Sequence, residues 1–207
     1  MLHYEIHVTV RTNEVERFQE VCKAMGVKPI ILELQKKSGD VLCEVMTSST
    51  ISTDDPTIGE AKVAMIRTCS NLSKERFVVV RAKIETVPWH PLAPSEHNGK
   101  FHYDGSHFET HFGVIVKNID DFENLKKLAK RHSLHLSRNT FKQLADGSYI
   151  QMATRRSYTL LKEDFELLVD TISSELAMMG LTTEKPPVIE FAILDTDQSH
   201  DDQWLKS

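Results

Sequence analysis

Apolar and polar residues alternate from His3 to Arg11, with Tyr4, Ile6, Val8 and Val10 in one row and His3, Glu5, His7 and Thr9 in the other. A period of two predicts a strand with one face in a core. The period then changes to that of a helix, with Val15, Phe18, Val21, Cys22 and Met25 forming an apolar stripe. Asn13 followed by Glu16 resembles a helix cap, and Gly26 is placed to end the helix. Two strands are expected next, over 29–35 and 41–48, joined by a turn at Lys36-Lys37-Ser38-Gly39-Asp40. Asp55-Pro56 reads as the cap and first-turn proline of a second helix running to about Leu72. A β-branched run over 77–86 closes the series as a last strand.

The same order recurs further on. A strand is expected over 107–116, a helix over 120–131, strands over 133–139 and 148–156, a helix over 160–179 and a strand over 187–195. The last helix carries the clearest stripe of the chain, Leu161, Phe165, Leu168, Ile172 and Leu176. Residue agreement accompanies the recurrence. Tyr4-Glu5-Ile6-His7-Val8-Thr9-Val10 lies over Phe108-Glu109-Thr110-His111-Phe112-Gly113-Val114 if Glu5 is set on Glu109. Without a gap, Val15 then meets Ile119, Phe18 meets Phe122 and Val21 meets Leu125. An internal repeat is the economical account.

A β-α-β-β-α-β order resembles the ferredoxin-like fold. The expected class is therefore α+β, a tandem duplication of that unit with two four-stranded antiparallel sheets. The units would span 1–87 and 107–196, with a linker over 88–106 and a polar tail over 197–207. Trp89, Phe101 and Tyr103 suggest that parts of the linker pack down. The fold carries many unrelated activities, so the resemblance implies no function.

Composition narrows the classes. A formal net charge of −5 argues against general nucleic-acid binding, which needs a basic surface, but leaves room for a local basic pocket. No stretch approaches the length of a membrane helix, and the first residues lack the pattern of a signal peptide. Cys22, Cys43 and Cys69 are odd in number, form no Cys-x-x-Cys pair and lie in apolar segments. Together these features predict a cytoplasmic protein with reduced, buried cysteines. Oligomeric state is not legible.

Candidate chemistry sits on the strand faces turned away from the helices. Glu5 and His7 in the first unit and Glu109 and His111 in the second would project there, beside an alternating row of Arg81, Lys83 and Glu85. If the two faces meet, both Glu-x-His pairs converge. Two imidazoles and two carboxylates suit a divalent metal, with Glu5, His7, Glu109 and His111 as ligands. The same four could be catalytic without metal, histidine moving a proton and glutamate orienting it. Thr9, Arg81 and Lys83 would then bind a small, anionic ligand. A plainer reading pairs Glu5 with Arg81 or Lys83 and leaves His7 as a hydrogen-bonding group on a polar face. In that case the chain is an interaction or scaffold protein.

One further motif bears on this. His7-Val8-Thr9, set among apolar residues, is similar to the His-x-Thr/Ser motif of the 2H phosphoesterases, and His135-Leu136-Ser137 offers a second copy. The resemblance implies a phosphodiester clamped between two such motifs. The repeat register sets it back, because Gly113 stands opposite Thr9 and carries no hydroxyl. Outside these motifs, His90, His97 and His102 are expected to be solvated loop residues, and Arg155-Arg156 ordinary surface charge.

Overall fold

The computed structural model describes residues 1–35, 41–99, 102, 103 and 105–200. The first half runs β1 (Leu2–Arg11), α1 (Val15–Met25), β2 (Lys28–Gln35), β3 (Val41–Thr53), α2 (Gly59–Lys74) and β4 (Val78–Thr86). The second runs β5 (His107–Val116), α3 (Ile119–His132), β6 (His135–Gln143), β7 (Tyr149–Ser157), α4 (Lys162–Met178), a two-residue β8 (Thr182–Thr183) and β9 (Ile189–Asp195).

The expectation of two separate sheets is corrected. All nine strands belong to one antiparallel sheet, in the order β7-β6-β2-β3-β1-β4-β9-β5-β8, and β7 also pairs with β5. β5 is therefore bonded to β7 along one edge and to β9 and β8 along the other. Two junctions join the halves: β4 with β9 over Lys83–Thr86, and β2 with β6 at Leu34 and Asn139. Eight strands thus close into a ring. Free edges in each four-stranded sheet would leave rows of unpaired backbone groups, and pairing them across the halves satisfies those groups and removes the edges. Each half contributes its strands in the same spatial order, β2-β3-β1-β4 and β6-β7-β5-β9.

Alternation decides what faces where. Tyr4, Ile6, Val8 and Val10 are buried beneath α1 and α2 with Phe18, Cys22 and Leu72. Phe108, Phe112, Val114 and Val116 are buried likewise beneath α3 and α4, where Phe108 stacks on Phe165 with ring centroids 5.6 Å apart. Each such side chain stabilises the fold by about 1.5–3 kcal/mol relative to exposure. Helices occupy the outside of the ring, so the other residue of each strand pair points into its interior.

Gly26 ends α1 in the left-handed region (φ 69°), as its position predicts. Asn13 does not cap α1; Glu14 occupies that position, and its N–H bonds the Thr12 hydroxyl. Asp55 instead closes a turn onto Thr57, ahead of a helix that begins at Gly59. The Lys36–Asp40 turn, Phe101 and the tail beyond residue 200 lie outside the described residues.

In the connecting segment Trp89 and Tyr103 are exposed rather than packed. His90 is fully buried, not solvated. The Leu92 N–H donates to its Nδ1, so Nε2 carries the proton and donates to the Tyr4 hydroxyl at 2.8 Å. Burial lowers the pKa of this imidazole and keeps it neutral. His102 lies edge-on to Phe108 and bonds the Leu160 carbonyl. Of the cysteines, Cys22 is buried and Cys69 half-buried, but Cys43 is exposed, contrary to expectation.

Candidate functional site

An eight-stranded ring has an interior wide enough for side chains or one small ligand. Here it encloses a cavity of about 410 Å³ with two unlike walls. Ile30 and Leu32 of β2, Met46 of β3, Leu136 of β6, and Ile150 and Met152 of β7 form an apolar wall, on strands that also bring Glu44, His135, Ser137, Thr154 and Arg156 to the lining. Opposite them, β1, β4, β9 and β5 present Glu5, His7, Thr9, Arg81, Lys83, Glu85, Glu109, His111 and Glu190. Glu5, His7, Glu109 and His111 do therefore line one space, as do Thr9, Arg81 and Lys83.

The register explains the charged array. Lys83 pairs with His7 and Glu85 with Glu5 across β1 and β4, while Glu109 pairs with Glu190 across β5 and β9. Ala192 lies on β9 opposite both Glu85 and His107. Lys83 reaches across the junction. Its Nζ lies 2.6 Å from Glu85 and 3.1 Å from Glu109.

A chain of polar contacts follows from one half to the other. Ser48 donates to Glu5 at 2.7 Å, and His7 Nε2 is 3.4 Å from Glu5 and 3.0 Å from Glu85. Beyond Lys83, Glu109 meets His111 Nε2 at 3.0 Å, and His111 Nδ1 bonds the Thr154 hydroxyl at 2.8 Å. Arg156 also pairs with Glu109. Arg156 is thus an interior residue, not the surface charge expected from sequence. Arg81 faces Asp195 with two bonds, at 2.9 and 2.6 Å.

These contacts correct one simple picture. Glu5 pairs with Ser48 and His7, not with Arg81 or Lys83. Among the described residues no group of three or more His, Cys, Asp or Glu is arranged to hold a metal ion.

The fields within the wall sort its protons. Burial pushes the Glu85 carboxyl up, but Lys83 and His7 more than reverse this and hold it at about 2. Burial likewise raises Glu109, and Lys83, Arg156 and His111 pull it well below the ordinary carboxylate range. His111 is lowered by burial and raised further by Glu109, with a net increase. Lys83 remains protonated, because its two carboxylate neighbours outweigh its burial. Glu190 differs. Burial and then the Glu85 charge push it up to about 7, and it has no hydrogen bond or ion pair among the described residues.

Sequence reasoning missed Glu190 and His107. Glu190 could have been noticed as a lone carboxylate in an apolar strand, but its importance depends on the β5–β9 register. His107 is fully buried, 3.6 Å from Glu109, and its two ring nitrogens have no hydrogen-bond partner among the described residues. The second phosphoesterase motif, His135 and Ser137, does line the same cavity as His7 and Thr9. At Gly113 an added Cβ would lie 3.4 Å from Ile150 and 3.6 Å from Glu184, within ordinary contact.

No protein-family model matches the chain, and no curated protein matches it. Solved structures with a similar course include a siroheme decarboxylase in complex with an iron-uroporphyrin III analogue (11% identity, 93% of this chain and 72% of that one, TM-score 0.31). They also include the acetolactate synthase small subunit from Thermotoga maritima (12%, 91% and 96%, 0.27). A third is an unknown protein from Galdieria sulphuraria (11%, 92% and 97%, 0.27). Likeness this loose carries no argument about activity. Among the described residues no helix is long and apolar enough to cross a membrane.

Proposed function

We propose that the chain is a duplicated ferredoxin-like protein whose ring interior binds a small organic molecule and supports metal-free acid–base chemistry on it. One observation carries the reading. Both Glu-x-His pairs line a single two-walled cavity, and Glu190, whose pKa lies near neutrality, stands beside them without a partner. A cavity with an apolar wall and convergent titratable groups is the form that small-molecule sites take. His111, oriented by Glu109 and Thr154, and Glu190 are the proton-carrying groups. Histidine and a carboxylate raised toward neutrality are suited to give and take protons at physiological pH. His7, with Glu5 and Glu85, is the corresponding group of the first half.

The ligand reading departs from the expected anion. Five glutamates of the lining (Glu5, Glu44, Glu85, Glu109 and Glu190) face three cations, and each cation already meets a carboxylate. The test is an NMR-detected screen of mixed organic fragments against the wild type and Met152→Trp, which fills the apolar side. Hits should shift cavity resonances and be lost in the variant. Hits that bind both forms equally would remove the cavity from the account.

A second reading, a phosphodiester clamp, is favoured by the shared position of His7, Thr9, His135 and Ser137 on this cavity. The acidic lining opposes it. Hydrolysis of a cyclic nucleotide phosphate that disappears in His7→Ala and His135→Ala would favour it, and an inactive wild type would end it.

A further inference from the structure

We propose that the ligand of this cavity is an amphipathic amine, its ammonium set against Glu190 and its apolar body along the β2–β3–β6–β7 wall. This deepens the small-molecule reading and rests on it.

The cations of the charged wall are engaged. Lys83 lies between Glu85 and Glu109, Arg156 on Glu109 and Arg81 on Asp195. An incoming carboxylate or phosphate would have to displace one of these pairs, and stripping a partner from a buried ion pair is costly. The spare group is an acceptor: Glu190 has no partner among the described residues. A ligand that only donates matches this carboxylate, and an ammonium is a donor with no acceptor.

Charge agrees with this. Glu5, Glu44, Glu85 and Glu109 are matched by Arg81, Lys83, Arg156 and the His111 imidazolium, so ionising Glu190 adds the one carboxylate without a countercharge, and an incoming cation supplies it. The apolar wall adds the other requirement. Ile30, Leu32, Met46, Ile150 and Met152 offer no polar group, and a bare ammonium or a polyamine would leave them wetted. A single amine on a compact hydrocarbon or aromatic body covers both walls. Such a ligand also supplies the countercharge that Glu190 lacks, so its binding favours the ionised carboxylate and expels the carboxyl proton near neutral pH.

Three probes that share a phenylethyl body separate the alternatives: 2-phenylethylamine, 3-phenylpropionate and 2-phenylethanol, titrated calorimetrically into the full chain at millimolar concentration. The amine should bind roughly tenfold or more tighter than the carboxylate, which is a difference of about 1.4 kcal/mol or more. Repeating the titration in two buffers of different ionisation heat should show proton release near neutral pH that fades in alkali. Glu190→Gln, with its fold checked by urea unfolding, should bring the amine-to-alcohol affinity ratio close to one and abolish the proton release. Carboxylate binding as tight as that of the amine overturns the inference and leaves the cavity reading standing. So does an amine preference that survives Glu190→Gln. If no probe binds the wild type, the cavity reading and the inference fail together.

Discussion

Glu190→Gln should make the protein less sensitive to alkali, and the size of the effect follows from the position of Glu190. In the folded chain its carboxyl is raised from the ordinary 4.5 to about 7, first by burial and then by the Glu85 charge. The native state therefore holds a proton that the unfolded state releases between those two values. Stability contributed by this group is fully present below the unfolded pKa and is lost as pH rises toward and through the folded one. A shift of this size caps the loss at about 2.5 kcal/mol between about pH 5 and about pH 8. Partial solvent access reduces that to about 1–2 kcal/mol. Urea unfolding of wild type and variant at both pH values isolates the effect, because every other titrating group is common to the two. The wild type should lose stability relative to Glu190→Gln on going from acid to alkali. A difference between the two proteins that does not change with pH would show that Glu190 titrates normally, and the proton-carrying role would fall with it.

Three further outcomes are expected. Lys83→Met leaves Glu85 and Glu109 facing each other in the cavity wall. It should cost about 3 kcal/mol in urea unfolding, the low end for a stripped buried pair, since His7, Arg156 and His111 remain; a neutral effect would mean the ammonium is not central. The His111 imidazole should titrate above its ordinary 6.5 by NMR, and Glu109→Gln should bring that value down. Its stabilising contribution is present below 6.5 and lost as pH rises through the folded value. Finally, the Cys22 thiol, pushed up to about 11 by burial, should react with a thiol reagent only on unfolding, while the exposed Cys43 reacts in the native state.

How far the site was legible depends on the strand concerned. On β1 and β5 the period of two separates Glu5, His7, Glu109 and His111 from the apolar row, and the shared register sets the two Glu-x-His pairs at equivalent places. β4 was readable for the same reason, since Arg81, Lys83 and Glu85 alternate with core residues. β2 and β7 were not. Ile30, Leu32, Ile150 and Met152 look like any buried positions, and nothing in their spacing says that they face a cavity instead of a helix. Arg156 reads as solvated charge because its partner, Glu109, is 47 residues away, and Glu190 goes unnoticed because it neighbours Glu109 only through the β5–β9 pairing.

The chain by itself determined the order of elements, the buried row of each long strand and the side of the sheet on which the charged residues lie. These depend on local periodicity, which backbone geometry converts directly into a face. Tertiary structure alone decided that the two expected sheets are one, that their helix-free faces enclose a cavity, and that Lys83 bridges Glu85 of one half to Glu109 of the other. Those outcomes rest on pairing between β4 and β9 and between β2 and β6. Such pairing is driven by unsatisfied backbone edges, which every strand carries alike and which leave no mark in side-chain pattern.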